Sequence, residues 1–117
     1  MELKVLVIRS GDPKRLADFY STFKLVFDYQ QHGNSPFHYS THIGQVLLEI
    51  YPLLENQDEA DKNLRIGFSI DDFVEIVEKL KSSNVVFAVH PQETEFGFMA
   101  VVCDPDGRTV ELYKNSS

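Results

Sequence analysis

Cysteine is nearly absent from this sequence of 117 residues, since Cys103 is the only one. A single cysteine excludes an internal disulfide and a cluster of thiolate metal ligands. Long apolar runs are absent as well: stretches such as residues 46–48 end at a charged residue, and none approaches the roughly 18 residues that a membrane span needs. The opening Met-Glu-Leu-Lys lacks the pattern of a secretory signal. We therefore expect a cytoplasmic protein with no membrane partner.

Basic residues are in the minority, because 11 lysines and arginines stand against 18 aspartates and glutamates, which gives a formal net charge of −7. A nucleic-acid binder usually carries a basic surface, since much of its affinity comes from neutralised phosphates. We therefore expect no nucleic-acid partner. The length and the hydrophobic share of 43% are those of one ordinary globular domain, residues 1–117.

The two halves of the chain have the same order of predicted elements. The polar stretch 55–63 has no apolar periodicity, and we interpret it as a linker between module 1 (1–54) and module 2 (64–117). Each module begins with an apolar strand, continues with an amphipathic helix and ends with three strands. The predicted strands span residues 3–8, 26–31, 37–43 and 46–51 in module 1 and 64–70, 85–89, 96–103 and 109–113 in module 2.

The predicted helices also correspond in their start and in their phase. Asp12 is a candidate N-cap, and Asp71 or Asp72 takes the same place about 60 residues later. The last strands align at an offset of 62, where Glu49 matches Glu111. The apolar faces are formed by Leu16, Phe19, Tyr20 and Phe23 in the first helix and by Phe73, Ile76, Val77 and Leu80 in the second. The sequence therefore predicts an α+β fold of two tandem β-α-β-β-β modules.

Several local patterns make the chain resemble the vicinal oxygen chelate superfamily, which includes glyoxalase I, bleomycin-resistance proteins and extradiol dioxygenases. The patterns lie at residues 12–20, 47–51, 68–72 and 104–113, the last of which begins Asp-Pro-Asp-Gly. The resemblance covers nearly the whole chain. It implies that the two modules form a curved, cup-like mixed sheet around a ligand, and that the protein is a homodimer.

The same resemblance implies four metal-ligand positions, a His or Gln on the first strand of each module and a Glu on the last. In this sequence the positions fall on Val5, Glu49, Arg65 and Glu111. Val5 cannot ligate a metal, and Arg65 brings a permanent positive charge to the place of the cation. We therefore expect no cofactor at these positions; the alternative is a divalent metal such as Zn, Ni, Fe or Mn.

Seven side chains are candidates for ligand binding. They are Val5, His38, Glu49, Tyr51, Arg65, Glu111 and Tyr113. Arg65 either pairs with one of the two carboxylates or binds an anionic group of the ligand through its two-pronged donor geometry. Glu49 and Glu111 are also candidates for a catalytic base, because a carboxylate in an apolar cup can have a raised pKa.

The position of His38 depends on the turn that follows it. A two-residue loop at Ile43 and Gly44 would place His38 directly opposite Glu49, so that the two side chains share a face of the sheet. A change of one residue in the loop length would turn His38 to the other face. His32 and His90 lie near predicted strand ends, and we expect both at the surface.

Three functions remain open at this stage. The first is a metal-free module that binds a small organic molecule in the cup between the modules. The second is a metal-dependent lyase or isomerase of the glyoxalase I type that uses Glu49 and Glu111, with His38 as a further ligand. The third is a catalytically inactive domain used for protein contacts. The incomplete set of metal ligands favours the first and argues against an enzyme.

Overall fold

The computed structural model describes residues 1–115 and divides the chain into two compact units, Met1–Asp61 and Lys62–Ser117. Unit 1 contains β1 (Val5–Ser10), α1 (Pro13–Ser21), β2 (Asp28–Gln30), β3 (His38–Ile43) and β4 (Val46–Pro52). Unit 2 contains β5 (Ile66–Ile70), α2 (Phe73–Ser82), β6 (Phe87–Thr94), β7 (Gly97–Cys103) and β8 (Thr109–Lys114). This order confirms the predicted α+β fold with two β-α-β-β-β modules.

Each unit has one four-stranded mixed sheet, and the two sheets have the same topology. The strand order is β1-β4-β3-β2 in unit 1 and β5-β8-β7-β6 in unit 2. The first and last strands of each unit pair in parallel, and the other neighbours are antiparallel. The pairing places Val7 beside Glu49 and Gly67 beside Glu111, so the two glutamates occupy equivalent places in the two sheets.

The helices begin at corresponding residues, Pro13 and Phe73, although α2 is one residue longer and their N-caps differ. Asp12 Oδ1 accepts the backbone N–H of Arg15 at 3.1 Å, whereas Asp72 has a left-handed backbone and its side chain makes no capping hydrogen bond. After each helix the chain turns through a left-handed residue, at Lys24 (φ 67°) and Asn84 (φ 59°). These two residues are 60 positions apart, which matches the predicted repeat.

The core of unit 1 lies between α1 and one face of its sheet. Leu16 and Tyr20 of α1 are buried, as are Ile8, Leu48 and Ile50 of the sheet, and α1 contacts β1, β3 and β4. Because side chains alternate along a strand, the neighbours of these sheet residues lie on the other face. We call the face of the sheet away from α1 the distal face of unit 1.

The β3–β4 hairpin differs from the expected one. Ile43 pairs with Val46, so the loop residues are Gly44 and Gln45, and Ser40 rather than His38 lies opposite Glu49. Gly44 has a φ of 60°, and the first loop position of a type II′ turn favours glycine for this reason. The register is therefore shifted by two residues, which leaves every side chain on its predicted face.

Unit 2 is built in the same way. Ile76, Val77 and Leu80 of α2 are buried, and so are Val110 and Leu112 of β8. Glu111 lies between these two strand residues and therefore on the opposite face, the distal face of unit 2. Within residues 1–115, neither helix is long and apolar enough to cross a membrane.

Candidate functional site

A polar cluster lies on the distal face of unit 1. His38 is fully buried, and its Nε2 lies 3.1 Å from Oε2 of Glu49, which is also buried. Ser40, directly opposite Glu49, donates its hydroxyl to the same oxygen at 3.3 Å. Gln30 in turn donates its side-chain amide to Ser40 at 2.9 Å. The structure thus brings His38 and Glu49, two of the seven candidate residues, into contact, and hydrogen bonds through Ser40 and Gln30 connect Glu49 to the neighbouring strands.

Tyr51 covers this cluster from the end of β4. Its ring stacks on that of His38, with 4.1 Å between centroids and 10° between planes. The guanidinium of Arg9 lies 5.2 Å from the centroid of the Tyr51 ring and donates to the carbonyl of Pro52 at 3.0 Å. Since stacking and the cation–π contact both fix the Tyr51 ring, His38 has little freedom to rotate.

A second charged group lies on the distal face of unit 2. Nε of Arg65 lies 2.8 Å from Oε2 of Glu111, and the Arg65 side chain is 71% exposed. The hydroxyl of Tyr113 donates to the other carboxylate oxygen of Glu111 at 2.5 Å. Gly67, beside Glu111, has no side chain, and the Tyr113 ring passes 3.5 Å from the place of a Cβ there. Glu111, Arg65 and Tyr113 are therefore in contact, as three of the seven candidates.

The pKa of Tyr113 is raised above its ordinary value of 10.0, first because its hydroxyl donates to Glu111 and then because of partial desolvation. The Glu111 charge adds to this rise, while Arg65 opposes it. Since the folded state favours the protonated phenol, the Glu111 bond stabilises the fold below pH about 10 and is lost as the phenol ionises at higher pH.

We expect the substitution Glu111→Gln to lower the pKa of Tyr113 toward the ordinary phenol value, because a neutral amide no longer favours the protonated form. An absorbance titration at alkaline pH measures this change, and Tyr113→Phe identifies which phenol titrates. Identical curves for the native protein and Glu111→Gln would contradict the prediction.

A shallow aromatic pocket of about 430 Å³ lies on the α1 side of the unit 1 sheet. Its aromatic wall is formed by Tyr29, Phe37 and Tyr39, and Asp12 and Lys14 line the end near the start of α1. Tyr29 stacks on Phe37 with 5.2 Å between centroids. Alternation places Phe37 and Tyr39 on the face shared with Ile50, away from Glu49.

The family model of the Glyoxalase/Bleomycin resistance protein/Dioxygenase superfamily matches residues 2–112. The chain belongs to this superfamily. This finding confirms the resemblance drawn from the sequence patterns. No curated protein sequence is similar enough to this member to count as a relative.

Solved structures of this superfamily fold are similar over nearly the whole chain. An antibiotic-binding protein (TnmS3) from a Streptomyces species has a TM-score of 0.79 and 20% identity, with 99% of this chain and 97% of that one covered. A glyoxalase/bleomycin-resistance protein from Streptomyces has a TM-score of 0.73 and 20% identity over 96% and 99%. A lactoylglutathione lyase from Agrobacterium tumefaciens has a TM-score of 0.69 and 16% identity over 97% and 93%. At these identities the likeness shows the fold.

Each unit contains two of the four superfamily positions. Val5 is about half exposed and lies in β1, two residues before the strand neighbour of Glu49. Arg65 directly precedes β5 and pairs with Glu111, which is one of the two alternatives that the sequence left open. The donor set at these four positions therefore consists of two carboxylates, an isopropyl group and a guanidinium, which does not fit a divalent cation.

Sequence reasoning missed the role of His32. We expected a surface histidine, and His32 is exposed, but it also lies against the cluster on the distal face. Its ring centroid is 5.1 Å from that of His38, and its Nε2 is 3.1 Å from the amide nitrogen of Gln30. A turn closed between Ser35 and His32 positions the ring. The only signal was the Gly-Asn-Ser-Pro sequence that follows, which predicts a turn without predicting its direction.

Proposed function

We propose that this superfamily member binds a small organic molecule and does so without a divalent metal held by the four superfamily positions 5, 49, 65 and 111 as a set. One observation carries the proposal: the Arg65 guanidinium lies 2.8 Å from Glu111 and neutralises the carboxylate that a metal would otherwise hold. The similar fold of the antibiotic-binding protein from Streptomyces supports a small organic ligand.

Arg65 supports an anionic group on the ligand. Its contact with Glu111 is made through Nε, and the side chain is mostly exposed, so the Nη groups can donate to a carboxylate, sulfonate or phosphate. Tyr113 beside it offers an aromatic surface. We therefore propose a ligand that combines an aromatic or apolar body with one anionic group.

Anilinonaphthalene sulfonate is a probe of this chemistry, because it joins fused rings to a sulfonate. We expect saturable binding to the folded protein, weakened about tenfold in Arg65→Ala by the loss of a charge-assisted hydrogen bond. Arg15→Ala is the matched control, since Arg15 is exposed on α1 and should leave the affinity unchanged. Equal affinities of the native protein and Arg65→Ala would contradict the proposed role of Arg65.

A double variant tests the metal-free part of the proposal. Val5→His with Arg65→His supplies a histidine at each of the two superfamily positions that lack a metal ligand. We expect this variant to gain a zinc site that Glu111→Gln weakens, whereas the native protein has no zinc affinity that depends on Glu111. Zinc binding by the native protein that Glu111→Gln abolishes would overturn the proposal.

Native mass spectrometry of the same samples reports any co-purified ligand and tests our further expectation of a homodimer.

A metal-dependent lyase or isomerase is the second candidate, because the 3.1 Å contact between His38 and Glu49 places an imidazole beside a superfamily carboxylate. This candidate requires a metal that depends on both Glu49 and Glu111. The Glu111→Gln measurement therefore separates the two functions.

A further inference from the structure

We propose that His32, His38 and Glu49 bind one divalent transition-metal ion within unit 1 alone. Each of the three offers a ligand atom, and these atoms lie within 4.8 Å of one another. Two imidazoles and a carboxylate are a donor set that zinc, cobalt and nickel accept. The site shares only Glu49 with the superfamily positions, and it goes beyond the proposed function.

The tautomer of His38 leaves one ring nitrogen available to bind a cation. Its Nδ1 lies 3.0 Å from the carbonyl oxygen of Pro36, which can only accept a hydrogen bond, so Nδ1 carries the proton. This contact to a backbone carbonyl is the one that typically orients a metal-binding histidine. Nε2 is then the ring nitrogen that is available as a ligand.

The buried Nε2 of His38 is the second observation. It is 3.1 Å from Oε2 of Glu49, yet it has no hydrogen-bond partner of acceptable geometry within residues 1–115. A nitrogen lone pair and a carboxylate oxygen repel each other at this distance unless a positive charge lies near both. Because a proton on Nε2 would not point at the carboxylate, an ion bound to both atoms satisfies them better than a hydrogen bond does.

His32 is the third ligand and is the one exposed to solvent. Zinc ligands in a tetrahedral site lie about 3.3 Å apart, given metal–nitrogen distances of about 2.0–2.1 Å, so the three ligand atoms must approach one another on binding. The exposed His32 ring can make this movement, whereas Ser40 and Tyr51 hold Glu49 and His38 in place. The fourth position would be left to water or to an exogenous ligand.

Titration with Co²⁺ and Zn²⁺ tests the site on chelator-treated protein without an affinity tag. We expect one Co²⁺ per chain with visible absorption bands, and a Zn²⁺ affinity that falls at least about tenfold in His32→Ala and in Glu49→Gln. His32 is exposed, so this variant keeps the fold even if replacement of the buried His38 does not.

Two control variants make the result decisive. His42→Ala removes an exposed histidine from the same strand as His38 and should leave the affinity unchanged. Glu111→Gln should also leave it unchanged, because Glu111 is not one of the three ligands and is held by Arg65 and Tyr113 instead. The absence of stoichiometric metal, or an unchanged affinity in His32→Ala, would overturn the inference. A fall in Glu111→Gln equal to that in Glu49→Gln would assign the metal to the superfamily positions and overturn the proposed function as well.

Discussion

Replacement of Arg108 by alanine should lower the free energy of unfolding by about 3–5 kcal/mol, because it removes a buried guanidinium that lies beside the carboxylates of Asp104 and Asp106. Arg108 is only 1% exposed, and its Nη1 lies 3.4 Å from Asp104 and 3.5 Å from Asp106. Asp104 is itself buried and accepts the backbone N–H groups of Asp106 and Arg108. The guanidinium of Arg108 therefore offsets the negative charge of Asp104, whose carboxylate also fixes the turn between β7 and β8 through these two hydrogen bonds.

Urea denaturation of Arg108→Ala and of the exposed control Arg15→Ala measures this loss. The control should change the free energy of unfolding by less than about 0.5 kcal/mol. The double variant Arg108→Met with Asp104→Asn should be less destabilised than the sum of its single variants, since charge and counter-charge leave together. A loss below about 1 kcal/mol in Arg108→Ala would show that water solvates the turn in place of the guanidinium.

Replacement of Tyr20 by alanine should cost a similar 3–5 kcal/mol, for a different reason. The Tyr20 side chain is completely buried in unit 1. Its ring centroid lies 5.0 Å from that of Phe19 in an edge-to-face arrangement and 6.0 Å from that of Phe23 in a tilted one. Its removal leaves a cavity that the neighbouring strands and helix cannot fill. Thermal or urea unfolding measures the loss, and Tyr29→Ala is the matched control because Tyr29 is 61% exposed. Equal stabilities of the two variants would contradict the packing argument.

The scaffold was predictable because its signals are periodic. The alternation of strand residues and the i, i+3, i+4 spacing in the helices are repeated in both halves, and the structure has all eight strands and both helices near the predicted places. The hairpin register was wrong because a loop at Ile43 and Gly44 and one at Gly44 and Gln45 both use the glycine. Nothing in the local sequence distinguishes the two loops.

The candidate site was predictable only in part. Arg65 and Glu111 were singled out by the family resemblance, which places both among the four metal-ligand positions, and the structure shows which of the two carboxylates the arginine contacts. His32 was missed because it lies outside the periodic segments, in a turn whose direction depends on tertiary contacts. The burial of Arg108 was not predicted because arginine is rarely buried. The Asp-Pro-Asp-Gly pattern predicts a turn, but it does not predict that the guanidinium of Arg108 lies beside the Asp104 carboxylate in the interior.

The two equivalent glutamates have acquired unlike neighbours. Glu49 faces an imidazole, whose charge depends on its protonation, whereas Glu111 faces a guanidinium that is permanently cationic. The helix ends at Lys24 and Asn84 have meanwhile kept the same backbone conformation 60 residues apart. Divergence between the duplicated halves has thus affected their chemistry more than their architecture, so the same substitution at the two glutamates removes different partners: an imidazole contact at Glu49 and an ion pair at Glu111.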